Sequence, residues 1–423
     1  MSGSSPYVQI AQHDHTLPAW LAASRHRGLE VWSSSSMPSE KDEDWKYVDL
    51  DFALDDFRPA GEPSAELGSD EYIDSLDGIS GRLTLVDGTV VAAEGDEPVV
   101  GGLLDVDEGM IAPHYRTAGS AGIDIFTAAN QAFAPPGGVV LFRAGQAVPA
   151  PVLVDVQSVI EGSVGFPHIT VVGGPGSEGS VLLLYRSAPG ARVLVSPVVE
   201  VLAGQNARLT VSVVQHLGDA ARMVAHHNFV ADRDATLRIH EIGLGGRYAR
   251  QRLGINLAGL GSSIKMGGIY FGDGRQVLDY RTYVTHRGAR TTSDIFLKGA
   301  VADRAQAVWT GLMRIENPAV GTSAFETNRN LVLSDRAKVH SVPNLEILTD
   351  DLQCGHGSSS GPLDGEQLYY LMSRGLARDR AERLLVRGFF DEIISDLAIP
   401  SLAAPSRLAV ASKFAAAQRR SGS

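Results

Sequence analysis

The chain has 423 residues, a length that exceeds that of most single domains and allows a large core. It contains 37 Lys and Arg against 49 Asp and Glu, and the net charge of −12 argues against the clustered cations of a general nucleic-acid-binding surface. The single cysteine, Cys354, excludes an internal disulfide framework and any metal site made from several thiolates of this chain alone.

The first 80 residues are predicted to form an N-terminal helical region. Residues 1–14 are polar and lack the basic and apolar segments of a secretion leader, and the apolar runs of the chain are too short to span a bilayer. We therefore expect a cytoplasmic protein that does not bind membranes. Apolar residues within 17–32 are spaced for one buried helical face, and a serine-rich break is followed by a short capped helix near Trp45.

Residues 81–350 are predicted to form a core of coiled strands. Short segments rich in branched apolar residues indicate half-buried strands, interrupted by one helix at residues 123–134. Small polar turns then recur at 207, 235, 263 and 289, at intervals of 28, 28 and 26 residues. Such a recurrence without intervening helices favours a solenoid. A β-sandwich remains the alternative, because its turns also recur every ten or so residues.

The C-terminal part is predicted to be helical. The strands are expected to stop near Asp350, and a Gly/Ser-rich loop at 355–361 is expected to lead into two helices. Gly375 is suited to end the first helix in the left-handed conformation. Residues 351–399 are thus interpreted as a loop and helical partner-docking region, and residues 400–423 as a flexible tail.

Motifs near both ends of the chain resemble one known family. Residues 38–47 read P-S-E-K-D-E-D-W-K-Y, residues 352–357 read L-Q-C-G-H-G, and residues 364–375 read D-G-E-Q-L-Y-Y-L-M-S-R-G. All three resemble, in this order, motifs of the SufB/SufD family of iron–sulfur cluster assembly scaffold proteins. The Cys-x-His-Gly segment and the absence of cysteine from the core are most similar to the SufD-like members.

The resemblance implies a mainly β fold, a right-handed parallel β-helix core with helical regions at both ends. It also implies a complex of the SUF system, in which the β-helix pairs with that of SufB and the C-terminal helices bind the ATPase SufC. The chain is then expected to be a non-catalytic scaffold subunit that supports de novo cluster assembly and iron acquisition, with ATP hydrolysis in SufC. A transient iron–sulfur cluster, or iron shared with SufB, is the expected cofactor, and flavin binding is left open.

His356 and Cys354 are the candidate metal-binding and cofactor-binding residues. The resemblance implies that His356 is a cluster-assembly ligand at the SufB interface, and imidazole is a suitable ligand for iron. The alternative is that His356 only hydrogen-bonds within its glycine-rich segment. Cys354 lies two positions earlier, so both side chains would point the same way in an extended segment. A lone cysteine also commonly packs as a small apolar residue, so both roles stay open.

Five residues of the C-terminal helices are the candidate partner interface. Aromatic and arginine side chains are common anchors of protein interfaces. The residues are Glu366, Tyr369, Tyr370, Arg374 and Phe389. The alternative for Tyr369 and Phe389 is that they pack the two helices together.

Other motifs predict little independent chemistry. No P-loop motif occurs, so the chain has no ATP site of its own, and no His-Glu-x-x-His zinc motif occurs. Residues 357–361 match the Gly-x-Ser-x-Gly pattern of a nucleophile elbow, which we interpret as a chance match. The adjacent pair His226 and His227 is not expected to bind metal, since neighbouring side chains of a strand point to opposite faces. The pair His13 and His15 is not expected to bind metal either, because it lies in an N-terminal segment that is expected to be mobile.

Two alternative functions stay open at this point. Parallel β-helices also host polysaccharide-acting enzymes, in which acids such as Asp279, Asp294 and Asp303 would line a groove. The other alternative is a homodimeric scaffold that works without SufB.

Overall fold

Two mainly parallel sheets coil together into a β-solenoid of about eight turns in the computed structural model of the protein. The structure describes residue 7 and residues 17–63, 65–119 and 122–421. The predicted solenoid is confirmed. The sandwich alternative is wrong, because strands of successive turns pair in parallel with each other.

The described residues contain 22 strands, seven α-helices and three short 3₁₀ turns. The strands are β1 Arg58–Pro59, β2 Gly81–Val86, β3 Thr89–Glu94, β4 Val99–Gly102, β5 Gly138–Phe142, β6 Val152–Ser158, β7 Ser163–Gly165, β8 His168–Gly173, β9 Glu178–Ser187, β10 Leu194–Val195, β11 Val198–Ala203, β12 Arg208–His216, β13 Arg222–Ala231, β14 Thr236–Gly243, β15 Tyr248–Leu257, β16 Ser263–Gly272, β17 Val277–His286, β18 Thr292–Val301, β19 Gln306–Ile315, β20 Thr322–Val332, β21 Lys338–Ile347 and β22 Leu352–Gly361. The helices are α1 Ala19–Ser34, α2 Glu71–Asp74, α3 Glu108–Ile111, α4 Ile125–Phe133, α5 Gly365–Ser373, α6 Arg378–Ile394 and α7 Ala403–Ser421, and the 3₁₀ turns are Glu43–Trp45, Leu54–Asp56 and Pro400–Leu402.

From β11 onward the odd-numbered strands form the first sheet and the even-numbered strands form the second. Arg208 of β12 pairs in register with Thr236 of β14, which pairs with Ser263 of β16. The spacing found in the sequence therefore corresponds to one turn of the solenoid. Asn206 and Asp234, which precede these strands, have φ angles of 57° and 54°. Short polar side chains of this type tolerate the left-handed conformation that a tight turn needs.

Alternate side chains of both sheets point inward and form the main hydrophobic core. Leu209, Val211 and Val213 of β12 belong to it, as do Leu237 and Ile239 of β14. Three further clusters lie on the outer faces. Helices α1 and α4 with residues near 45–57 cover the first sheet, and α6 and α7 cover the second. The helix predicted at 123–134 is confirmed by α4.

Residues 44–47, here called the strap, join the N-terminal region to three successive turns. Arg250 of β15 donates a hydrogen bond to the Asp44 carbonyl at 2.6 Å, Arg281 of β17 to the Lys46 carbonyl at 2.7 Å, and Gln306 of β19 to the Tyr47 carbonyl at 2.6 Å. Trp45 is buried, and its ring lies 3.9 Å from the Arg250 guanidinium carbon. The Trp-containing motif of the sequence is therefore a structural attachment.

The two predicted C-terminal helices are confirmed by α5 and α6. Gly375 follows α5 with a φ of 91°, the left-handed conformation expected of it. Asp364 caps the start of α5 by accepting hydrogen bonds from the backbone of Glu366 and Gln367. No helix among the described residues is long and apolar enough to cross a membrane.

The predicted flexible tail is wrong, because most of residues 400–423 form α7. Val410, Phe414 and Ala417 are buried at the helical spacing of one face. Arg420 donates from Nε to Asp303 Oδ2 at 2.8 Å, which ties the end of the helix to a turn of the solenoid. The Ala- and Arg-rich composition concealed this face, whose apolar positions are few.

The predicted loop at 355–361 is also wrong, because these residues belong to strand β22. The strand pairs in parallel with β20, from Thr322 opposite Leu352 to Leu331 opposite Gly361. Glycine and serine have low strand propensity, but backbone pairing with an existing turn outweighs that preference. The core thus continues one strand beyond the predicted boundary at residue 350.

Asp279→Asn should strongly destabilise the protein. Asp279 is fully buried, accepts a hydrogen bond from Arg281 Nε at 2.6 Å and contacts Arg250, so it holds both arginines that bind the strap. Removing one charge of a buried ionic cluster costs about 3–5 kcal/mol. The free energy of unfolding from urea titration measures this. Asp51→Asn is the control, since the Asp51 side chain is 46% exposed and its pair with Arg222 contributes about 0–1 kcal/mol. Equal losses in both variants would contradict the assignment.

Candidate functional site at the open end of the solenoid

The last turn of the solenoid has two strand edges without a partner in the described chain. Strand β21 pairs only with β19, and β22 pairs only with β20. Such edges present unpaired backbone N–H and C=O groups to another chain. Large apolar side chains are also exposed on the last two turns, namely Val320, Phe325, Ile347 and Leu348. This end of the solenoid is an open surface.

Cys354, His356 and Ser358 lie on the inner face of β22. Cys354 packs against the inward-pointing Met313 and Ile315, and Ser358 Oγ donates to Ser341 Oγ at 2.7 Å. Side chains two apart on a strand share a face, so His356 lies between them on the same side. His356 is nevertheless exposed, since no further turn covers it. The structure thus brings Cys354 and His356 to one face at the open end.

Cys354 is half-buried, whereas His356 is exposed. The thiol contacts a small apolar cluster that includes Ala319 and Ala324. This contact is compatible with simple packing, and the partial exposure is compatible with metal binding.

A ladder of neutral polar side chains leads from the open end into the interior. Ser341 Oγ donates to Asn328 Oδ1 at 2.8 Å, and Asn328 Nδ2 donates to the Tyr270 hydroxyl at 2.9 Å. The Tyr270 hydroxyl donates to Asn330 Oδ1 at 2.6 Å. Ser358 joins the ladder through Ser341, so each of these side chains has a hydrogen-bond partner. The polar interior was not predicted from the sequence.

Glu326 lies directly beneath His356 and was also missed from the sequence. It is opposite His356 in the register of β20 and β22, is 1% exposed, and neither carboxyl oxygen has a hydrogen-bond partner. Burial raises the pKa of its carboxyl to about 8. The available signal was the alternation of Ala324, Glu326 and Asn328, which places an acid at an inward position.

The two adjacent histidines of β13 point to opposite faces, as predicted. His226 Nε2 lies 2.9 Å from Asp124 Oδ2 on the outer face, and His227 Nε2 lies 3.0 Å from the Tyr185 hydroxyl in the interior. His13 and His15 lie outside the described residues.

The donor chemistry at the open end suits iron only in part. Imidazole and thiolate are both established ligands of iron. Among the residues that the structure describes, no group of three or more His, Cys, Asp and Glu side chains is arranged to hold a metal ion. His356 and Cys354 therefore require further ligands from another molecule.

Helix α5 forms a second exposed surface. None of its residues is buried, and Tyr369 and Tyr370 are 75% and 56% exposed. Glu366 and Arg374 are exposed beside them, and the Arg374 guanidinium carbon lies 5.2 Å from the Tyr370 ring centre. Phe389 differs from these four, because it is half-buried and packs with the α6 and α7 cluster over the second sheet.

The residues considered for enzymatic chemistry are not brought together. Asp279 is buried under the strap on the first sheet, Asp294 is exposed on β18 of the second sheet, and Asp303 is ion-paired with Arg420. Ser359 is exposed within β22 rather than at a strand-to-helix turn. The three acids line no common groove.

Comparison with known proteins finds one family. The family model described as SUF system FeS cluster assembly, SufBD core domain, matches residues 156–389. An iron–sulfur cluster assembly SufBD family protein of Mycobacterium leprae is 35% identical over 294 residues, which cover 67% of this chain and 74% of that protein. A SufBD family protein of Mycobacterium bovis is 38% identical over 60% of this chain, and the aligned region spans 64% of that relative's length.

The iron–sulfur cluster assembly protein SufD of Escherichia coli is similar over a longer part of the chain. It is 27% identical over 383 residues, which cover 87% of each protein. The motifs at both ends of the sequence and the family match thus agree.

Glu326→Gln should stabilise the protein progressively as the pH rises. The folded carboxyl keeps its proton up to about pH 8, whereas in the unfolded chain it loses it near its usual value of 4.5. The folded state therefore binds more protons between these pH values, and stability falls as the pH increases through this window. Urea titrations at pH 5 and pH 8.5 should show that the free energy of unfolding of the wild type falls between these pH values. The fall should be smaller in the variant by a few kcal/mol. Parallel curves would show that Glu326 ionises normally.

Proposed function

Because the chain belongs to the SufBD core domain family of the SUF system for iron–sulfur cluster assembly, we propose that it acts as a SufD-like scaffold subunit. In this role it is non-enzymatic and works in the cytoplasm with SufB and the ATPase SufC, supporting de novo cluster assembly and iron acquisition. The observation that carries the proposal is the exposed His356 on the inner face of a solenoid end whose two sheets are both open.

SufB is the proposed partner at the open end. The free edges of β21 and β22 can each accept a strand of another chain through main-chain hydrogen bonds. The exposed Val320, Phe325, Ile347 and Leu348 would then be removed from water. The same edges would pair with a second copy when the chain is alone, which would give a homodimer.

The nascent cluster, or its iron, is the proposed cargo at this interface. His356 supplies an imidazole and Cys354 a thiolate, and SufB supplies the remaining ligands. Sharing the ligands between two chains fits a subunit with one cysteine. It also fits the lack of a preformed metal-binding group among the described residues.

SufC is the proposed partner of α5. A helix with no buried residue and two exposed tyrosines is an unusual feature of an isolated surface and suits an interface anchor. Glu366 and Arg374 would supply polar contacts at its rim. ATP would be hydrolysed in SufC, since this chain lacks a P-loop motif.

His356→Ala should abolish cluster maturation in cells while the complex with SufB and SufC still assembles. The side chain is exposed, so its removal should change the unfolding free energy by no more than about 0.5 kcal/mol. Copurification measures assembly, and the activity of a cluster-dependent enzyme measures maturation in a strain that lacks the native gene. Normal maturation with His356→Ala would remove the ligand role.

Two related variants complete that experiment. Cys354→Ser should also reduce maturation if its thiolate binds cargo, and unchanged maturation would assign Cys354 to packing alone. His340→Ala is the matched control, because His340 lies on β21 of the same last turn and its ring stacks on Tyr47.

Tyr369→Ala combined with Tyr370→Ala should weaken SufC binding while leaving SufB binding intact. Two aromatic anchors commonly contribute about 2 kcal/mol or more, which corresponds to at least a 30-fold increase in Kd. Calorimetric titration with SufC measures this. Leu408→Ala on α7 is the control, since Leu408 is 68% exposed but lies on another helix. An equal effect of both substitutions would reject α5 as the docking helix.

A further inference from the structure

We propose that Glu326 is a positioning residue for His356, whose ring N–H donates a hydrogen bond to the Glu326 carboxylate when the other ring nitrogen binds metal. This inference rests on the proposed ligand role of His356. It adds a buried carboxylate to the site, and it assigns a function to a side chain that otherwise lacks a partner.

The strand register places the two side chains next to each other. Glu326 and His356 are opposite each other in the pairing of β20 with β22. Ala324 and Asn328, two residues on either side of Glu326, are buried in the interior, and Cys354 and Ser358 lie on the inner face of β22 on either side of His356. Neighbouring strands of a sheet lie about 4.8 Å apart, so the longer glutamate side chain can reach the imidazole by a change of rotamer.

The hydrogen bonding of Glu326 differs from that of its neighbours. Asn328, Asn330, Ser341 and Ser358 all have hydrogen-bond partners in the ladder. Glu326 has none at either carboxyl oxygen, although it is buried as deeply as Asn328 and Asn330. A buried polar group without a partner is costly in free energy. Glu326 lies one layer below the exposed imidazole of His356. We infer that its carboxyl group gains a hydrogen-bond partner when His356 binds metal.

The space around the carboxyl depends on Gly311. A Cβ atom at this position would lie 2.4 Å from Glu326 Oε2 and 2.7 Å from Oε1, so any other residue would displace the carboxyl. Trp309 borders the same space, since its ring carbon Cζ2 would lie 2.7 Å from that Cβ atom. The carboxyl thus occupies a pocket that exists only because residue 311 has no side chain.

The chemistry of a metal-bound imidazole requires such a partner. A neutral imidazole that binds metal through one nitrogen carries its proton on the other, and that N–H usually donates to a carboxylate or carbonyl. The hydrogen bond fixes the orientation of the ring and increases its basicity. A cation at the imidazole also favours the ionised form of a nearby carboxyl. Glu326 is the acid that the register places in this position.

Zinc binding to the full-length chain in complex with SufB, the proposed source of the remaining ligands, tests the proposal. Zn²⁺ is diamagnetic and binds imidazole, so nitrogen NMR of protein labelled with ¹⁵N only at histidine follows His356 directly, with His356→Ala identifying its signal. Glu326→Gln should raise the Kd for Zn²⁺ about 10- to 100-fold, the usual effect of removing such a partner. Glu326→Met, which offers no oxygen acceptor, should weaken binding at least as much and abolish the slowly exchanging ring N–H signal of His356.

Glu241→Gln is the matched control for burial. Glu241 is also buried without a hydrogen-bond partner at either carboxyl oxygen, but it lies on β14, four strands of the second sheet away from β22. Its substitution should leave the Zn²⁺ affinity at His356 unchanged. Equal affinity in wild type and both Glu326 variants would overturn the positioning role while leaving His356 as a ligand. Absence of any His356-dependent binding would overturn the ligand role and this inference together.

Discussion

Parallel backbone pairing between successive turns is the constraint on which the structure depends. Each strand from β13 to β20 satisfies its N–H and C=O groups with the strand two places earlier and the strand two places later. The pairing lets polar and small residues enter strands, as in β22, and it aligns interior side chains into columns. The pairing must also end somewhere, because no further strands of the described chain follow the last turn. The open end is therefore a direct result of how the core is built.

The sequence predicted those parts of the fold whose signals are local. The turns before β12 and β14 carry the short polar residues Asn206 and Asp234, and the interval between such turns shows the coil. Strand β22 and helix α7 were missed because their stability comes from distant contacts. Leu352–Gly361 pairs with β20, and Phe414 packs in the cluster over the second sheet. The amino-acid composition of these segments does not show what they pack against.

Only those parts of the candidate site that have a local sequence signal could be predicted. His356 and Cys354 were found from a motif, and their common face follows from a spacing of two residues in a strand. Glu326 was not found, since its relation to His356 depends on a register that joins residues 30 positions apart. The ladder through Asn328 and Tyr270 depends on strands still further apart in the chain. The geometry of the site is thus a product of the coil rather than of any single segment.

The strap has a consequence for how the molecule opens. A solenoid is held mainly by contacts between adjacent turns, so it tends to fray from a free end. The strap fastens β15, β17 and β19 to the N-terminal region, whereas β21 and β22 make none of its three hydrogen bonds. Fraying from the open end would then be limited to the last turn and would stop at the fastened strands. Amide hydrogen exchange would be fast in the turn that carries His356 and slow in the turns below it. The solenoid would then be a rigid body whose last turn can adapt its shape.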